Sequence, residues 1–179
     1  MKDGLFKTIL YTIIGVGIMT TVMTLTSITT PFEGVYIQLA YGYLAPFAGV
    51  AGAIPAAIVG FTGHVLFDLI YTDHLWLSWA LSSGALGFVF GFAIRRKSLR
   101  QGVFSQHDMV RFNVVQAVVN IAIFGLIAPT LDVLFYQSST AVVFTQGWIA
   151  SIINLLTVAI FGTITLKLYA NYKLKQNKQ

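Results

Sequence analysis

The chain has 179 residues, of which 56% are hydrophobic and 9% charged, with a net charge of +5 and a mean hydropathy of +0.78. A soluble domain of this size buries too little surface to hide so many apolar side chains, so lipid has to solvate the remainder, and an ordinary water-soluble protein is excluded. Cysteine is absent, which excludes disulfides, thiolate metal sites and cysteine nucleophiles.

A membrane-spanning helix needs about 20 mostly apolar residues, and the hydropathy pattern predicts six such segments. The N-terminal segment starts with Lys2 and Lys7 as a signal peptide would, but its apolar run reaches Ile28 without an A-x-A-like cleavage site, so 5–28 reads as the first membrane helix. It carries Gly15, Gly17 and Thr21; the Gly17-xxx-Thr21 spacing lets another helix backbone approach closely, either within this chain or from a partner. The second, 36–49, is short, and Pro46 among nearby glycines predicts either a tight turn into the third, 50–71, or one kinked unit. The fourth, fifth and sixth are expected at 75–94, 108–128 and 145–168. No alternating ten-residue pattern of a membrane barrel occurs, and backbone groups in hydrocarbon must be satisfied internally, so the prediction is an all-α integral membrane protein. With no repeat or long linker, residues 1–179 read as one membrane domain.

Charge sets the expected orientation. Lys2 and Lys7, then Arg95, Arg96, Lys97, Arg100 and Arg111, then Lys167, Lys173, Lys175 and Lys178 account for all 11 basic residues, and six spans put them on one side. The opposite loops hold Glu33, Asp73 and Asp132. The positive-inside bias therefore predicts a cell-membrane protein with both termini cytoplasmic, and the positive charge reports topology rather than a nucleic-acid partner.

The polar residues gather near the outer end of the predicted helices. His64 and Asp68 lie four apart on the third span, within reach of each other. Trp76, Trp79 and His74 begin the fourth at that level, and Tyr36, Gln38, Tyr41 and Tyr43 begin the second. Asn113, Gln116 and Asn120 form a stripe on the fifth; Gln146, Trp148 and Asn154 lie on the sixth. Plainer roles exist for each: interfacial aromatics, interhelical hydrogen bonds, or a carboxylate reaching headgroup water. Against them stands the cost of an ionisable group at the centre of a membrane helix, about 2.5–3.5 kcal/mol on insertion scales, which favours residues facing a cavity or each other. Aromatic walls with a few amide, imidazole and carboxylate groups suit a medium-sized organic ligand. The candidate binding residues are Gln38, Tyr41, His64, Asp68, Trp76, Trp79, Gln116, Asn120 and Asn154.

Catalytic signals are missing. The sequence has no GxxxxGK[ST] loop for ATP and no HExxH, His64 and Asp68 supply only two ligands for a metal, and Ser82 and Ser83 have no base at a fixed local spacing. An enzyme is not expected, nor a resident metal or cofactor.

The segments "TSITTPFEGVYIQLAYGYLAPFAG", "GFTGHVLFDL", "WLSWALSSGALGFVFG", "DMVRFNVVQAVVNIAIFGLIAPTLD" and "VFTQGWIASIINLLTVAIFGT" together resemble the S-components of energy-coupling factor (ECF) vitamin transporters over nearly the whole chain. The resembling group is labelled riboflavin-type and is also similar to the cobalamin-specific S-component. The resemblance implies capture of a vitamin from outside, cobalamin first and riboflavin next. It also implies docking on a coupling membrane protein with two ATPase subunits that bind ATP, and toppling of the bundle to release the vitamin inward. Lids are expected at 29–36, 71–75 and 129–144. The family's docking helix often carries alanines at small-residue spacing, where this chain has Gly15, Gly17 and Thr21. Two readings compete: a proton-coupled carrier with His64 and Asp68 as relay, and a scaffold whose polar groups bind only neighbouring helices.

Overall fold

A computed structural model describes residues 2–32, 34–72 and 74–179, with side chains from Gly4 onward. Glu33, Asp73 and the Lys2 side chain, used above for orientation, lie outside the described residues. Helix α1 (Lys2–Thr26) leads into a two-stranded antiparallel ribbon, β1 (Ile28–Thr29) and β2 (Tyr36–Ile37), in which Ile28 faces Ile37 and Thr29 faces Tyr36. The short helix α2 (Ala40–Ala51) follows, then α3 (Ala53–Phe67) with a π turn at Asp68–Thr72, α4 (Leu77–Ala93) and the small α5 (Arg96–Arg100). Helix α6 (Gln106–Ala122) continues through a π turn at Ile123–Ile127 into α7 (Ala128–Tyr136). Helix α8 (Thr140–Thr157) likewise continues through a π turn at Val158–Gly162 into α9 (Thr163–Gln176).

The surface is apolar and much of the polar chemistry is inside. Phe6, Ile13, Ile54, Phe92, Val118 and Leu168 are exposed, whereas Gln116, Asn120, Asp132, Ser78, Ser83 and Ser151 are buried. That inversion identifies an all-α membrane protein, since lipid replaces water around the outer face.

Among the described residues, four helical stretches are long and apolar enough to cross a bilayer: Gly4–Thr26, Ala53–Thr72, Gln106–Tyr136 and Thr140–Gln176. The 17 residues of α4 reach about 26 Å at 1.5 Å per residue. The 12 residues of α2 reach about 18 Å, well short of a hydrocarbon core of about 30 Å. The expected second span is thus corrected: Tyr36 belongs to the ribbon, Gln38 precedes the helix, and α2 begins at Ala40. Because α2 stops short, the bundle has space beyond its first turn, beneath the ribbon.

Helices α2 and α3 are separate. Gly52 between them takes φ +103°, a left-handed geometry that a Cβ would strain. Arg96 Nη2 donates to the carbonyls of Val50 and Ala51 at 3.0 and 2.9 Å, and Arg100 Nη2 donates to Val50 at 2.8 Å. Two cations therefore cap the carbonyl end of α2, where the helix dipole is negative. Burial lowers the Arg96 pKa, with Arg100 adding to the effect. At the start of α6, Ser105 and Asp108 form a capping box: Ser105 Oγ accepts from the Asp108 amide at 3.2 Å, and Asp108 Oδ2 accepts from the Ser105 amide at 3.0 Å.

The tightest packing joins α3 to α4. A Cβ on Gly60 would run into the Ser83 carbonyl, and one on Gly87 into that of Ala56, so these helices touch through their backbones. This contact fixes the register that sets His64 beside Ser83.

Two helix ends differ from the sequence expectation. The fifth span does not stop at 128. Pro129 sits in the first turn of α7, where its missing N–H costs little, and the π turn before it carries the helix on to Tyr136. The expected lid at 129–144 is consequently helical over most of its length, with a short break between Tyr136 and Thr140, and α8 begins five residues before the expected 145.

Candidate functional site

A cavity of about 520 Å³ opens beneath the ribbon, beyond the first turn of α2. Tyr36, Gln38 and Tyr41 line it from the ribbon and α2; His64, Phe67, Asp68 and Thr72 from α3 and its π turn; His74, Trp76 and Trp79 from the start of α4 and the loop before it. Asp132 contributes from α7, and Gln146, Ala150 and Asn154 from α8, with Ser138, Ser139, Val142 and Val143 at its beginning.

One wall is a hydrogen-bond chain. His64 Nε2 lies 3.5 Å from Asp68 Oδ1, one helical turn apart as the spacing predicts. His64 Nδ1 lies 2.7 Å from Ser83 Oγ and 3.2 Å from the Tyr41 hydroxyl, and Ser83 Oγ lies 2.8 Å from that hydroxyl. With Nε2–H facing Asp68, Nδ1 accepts from Ser83 or from Tyr41; Ser83 Oγ also lies 2.9 Å from the Trp79 carbonyl, so its one proton is shared between that carbonyl and the imidazole. No histidine lies near Ser83 in sequence, because its partner His64 comes from a different helix. Ser83 is fully buried and does not line the cavity, so this chain orients His64 instead of presenting a nucleophile.

The two cavity carboxylates hold the start of α4. Helix α4 has no side-chain cap of its own at Trp76. Asp68 Oδ2 accepts from the Trp76 amide at 2.9 Å, and the Tyr136 hydroxyl accepts from the Leu77 amide at 2.8 Å. Asp132 accepts from the Ser78 hydroxyl through Oδ1 and from Trp79 Nε1 through Oδ2, the latter at 2.8 Å. Asp132 therefore positions the Trp79 indole directly, and Asp68 holds the backbone at Trp76.

The aromatic wall is continuous. Tyr36 packs edge-on against Phe67 and Tyr71, with ring centroids 6.1 and 5.7 Å away, and Phe124 backs both Tyr41 and Trp79 at 5.3 and 5.8 Å. Burial raises the Tyr36 pKa, and Tyr71 and Asp68 add to the shift, so its phenol keeps its proton as a donor.

Of the expected site residues, Gln38, Tyr41, His64, Asp68, Trp76, Trp79 and Asn154 come together around this cavity. Gln116 and Asn120 do not line it. Gln116 Nε2 donates to the Leu155 carbonyl at 3.3 Å and Asn120 Nδ2 to Gln116 Oε1 at 3.0 Å, while Asn113 Nδ2 donates to Thr163 Oγ1 at 2.9 Å. This stripe ties α6 to α8 and α9 and is interhelical glue. The expected docking glycines also divide. Gly15 is buried, and a Cβ there would meet the Phe47 ring and Val59 of the same chain, whereas Gly17 has open space and Thr21 is exposed.

Asp132 is the residue sequence reasoning missed. Ending the fifth span at 128 placed Asp132 in a loop, yet it is 1% exposed. The available signal was an acid flanked by apolar residues on both sides.

The family model described as "ECF-type riboflavin transporter, S component" matches residues 5–171. Three relatives bear the name UPF0397 protein. One from Lactococcus lactis subsp. cremoris is 40% identical over 175 residues, covering 98% of this chain and 96% of its own. One from Enterococcus faecalis is 38% identical over 169 residues, 92% of each chain, and one from Staphylococcus aureus is 34% identical over 175 residues, 98% of this chain and 95% of its own. No solved structure matches the chain. A match of such length, over a helical membrane bundle with an aromatic cavity, settles the family: the chain belongs to the family described as "ECF-type riboflavin transporter, S component" and is a membrane transport subunit, not an enzyme.

Proposed function

We propose that the chain is a vitamin-binding S-component whose ligand occupies the cavity beneath the ribbon, and that the ligand is of riboflavin size. The cavity itself carries this reading. At about 520 Å³ it falls within the range of about 300–1,000 Å³ of small-molecule sites, and it suits a fused tricyclic ring with a short polyol chain. A corrinoid with its nucleotide loop is several times heavier and would project beyond a cavity of this volume, which favours riboflavin over cobalamin, the first expectation from sequence. Trp76, Trp79, Tyr36 and Phe67 supply faces for a flat ring, while Gln38, Asn154 and the His64–Asp68 pair supply hydrogen bonds to its polar edge.

The positive-inside bias supports a single membrane domain with six helical segments, α2 being a partial one, and with both termini cytoplasmic. The cavity then opens to the exterior. Gly17 and Thr21 on the exposed face of α1 form the candidate docking surface for a coupling membrane protein, with ATP hydrolysed by two partner ATPases.

Reconstitution tests this division of labour. In proteoliposomes the chain alone should accumulate no riboflavin under a proton gradient, and addition of the coupling protein and ATPases with ATP should start uptake. Accumulation driven by the proton gradient alone would favour the proton-coupled carrier instead.

A further inference from the structure

We propose that the end of the bundle opposite the cavity carries a binding belt for anionic phospholipid headgroups, with Arg95, Arg111 and Lys167 as its anchors. The belt lies apart from the cavity and does not depend on which vitamin the cavity holds.

Exposed apolar stripes run along the outside of α4, α6 and α9, and each ends on a cation. On α4, Phe88 and Phe92 are followed at helical spacing by Arg95, just past the helix. On α6, Ile121, Val118 and Val114 lead down to Arg111; Ile160, in the π turn before α9, and Ile164 lead to Lys167. Arg95, Arg111 and Lys167 are all exposed. Contacts between the helices set them near one level. Asn113 Nδ2 donates to Thr163 Oγ1, and Arg111 and Lys167 lie two and four residues beyond that bond, about 3 and 6 Å along their helices. Arg95 Nη1 lies 3.6 Å from Asp108 Oδ1, and Asp108 is one turn from Arg111 on α6.

The charge at this end is one-sided. Asp108 is the only acid there among the described side chains, and it is buried and engaged with Ser105. Lys97, Lys175 and Lys178 add exposed cations. Lys167 spends one proton on the Phe104 carbonyl at 3.1 Å and keeps two. Arg111 makes no hydrogen bond or ion pair with any described residue, so its whole donor fork is open. An arginine fork fits a phosphodiester bidentately, and the acyl chains of the same lipid would cover Val114 and Val118.

Placement selects lipid over a water-soluble acidic partner. The cations stand at the foot of lipid-facing stripes, and the exposed Leu168 and Tyr172 continue past Lys167. The belt thus lies at the boundary of hydrocarbon and headgroups, where long cationic side chains reach phosphate and a soluble protein does not.

The test reconstitutes the full chain in nanodiscs of equimolar phosphatidylcholine and phosphatidylglycerol, exchanges it into detergent, and counts the retained lipids by native mass spectrometry. Phosphatidylglycerol should be retained at least about tenfold over phosphatidylcholine, at about fivefold for each cation near the surface. The Arg95→Gln, Arg111→Gln variant should lose most of that preference. A Lys175→Gln, Lys178→Gln variant loses the same net charge from the chain end and should keep it. If the first variant does not fold by thermal denaturation, Arg111→Gln alone carries the test, because that side chain has no partner to lose, and it should cost about fivefold. Excess inorganic phosphate should not displace the lipid.

Equal retention of the two lipids would overturn the proposal and leave the belt to an acidic protein segment. Equal losses in the two double variants would overturn it as well, since diffuse charge would then be the cause. Displacement by inorganic phosphate would show a site for the free anion, which contradicts a headgroup belt.

Discussion

Asp132 on α7 accepts hydrogen bonds from both Ser78 and Trp79 on α4, so one buried carboxylate ties two helices and fixes an indole on the cavity wall. Removing it strands two donors in a buried site, a loss of about 1–3 kcal/mol. Asp132→Ala should therefore lower the unfolding temperature in detergent by several degrees and red-shift tryptophan emission. Asp132→Asn, which still offers an acceptor, should do neither to the same extent. An alanine variant as stable as the parent would show that the contact is not made.

The Tyr41–Ser83–His64 chain makes a graded prediction. In Ser83→Ala the Tyr41 hydroxyl still stands 3.2 Å from His64 Nδ1, so the imidazole keeps one partner. Riboflavin affinity should fall by less than about tenfold, matching one ordinary hydrogen bond. His64→Ala removes both the partner and the contact surface and should cost clearly more. Equal losses in the two variants would mean that Ser83 touches the ligand itself.

Gln116 and Asn120 separate glue from site. Both are buried outside the cavity lining, so Asn120→Leu should leave riboflavin affinity within about twofold while changing stability by about 1 kcal/mol in either direction, since only one of its amide atoms has a partner. A tenfold loss of affinity in a stably folded variant would return the residue to the site.

Gly15 and Gly17 of α1 make opposite predictions. Gly15→Leu forces a side chain against Phe47 and Val59 and should destabilise the fold by about 1–3 kcal/mol, measured by thermal denaturation. Gly17→Leu enters open space, so folding and riboflavin binding should persist while uptake with the ATPase partners falls at least about tenfold. Undiminished uptake would move the docking surface elsewhere.

These contrasts show which parts of the protein were legible from residues alone. Helical spacing was enough to pair His64 with Asp68, because both lie on one helix and i,i+4 geometry is local. Hydropathy and charge placed Gln38, Trp76 and Trp79 at one end of the bundle and Asn154 near mid-membrane, and all four line the cavity. What failed depended on rotation and on helix ends. The Asn113–Gln116–Asn120 stripe was visible, but the direction it faces is fixed by packing of α6 on α8, which no spacing within α6 encodes. Asp132 was lost because the fifth span was ended at 128, whereas the helix continues through the π turn at Ile123–Ile127 to Tyr136. Ser83 acquired its histidine only through the glycine-mediated contact of α3 with α4.

The central claim is that the cavity beneath the ribbon holds the vitamin and that His64 and Asp68 contact it. Calorimetric titration of the purified chain and of its His64→Ala, Asp68→Ala variant with riboflavin tests this most directly. The account predicts one-to-one binding by the parent and a loss of about a hundredfold or more in a variant that still inserts and purifies as a folded protein. Identical titrations for the two proteins, or no heat from the parent with riboflavin, would contradict it.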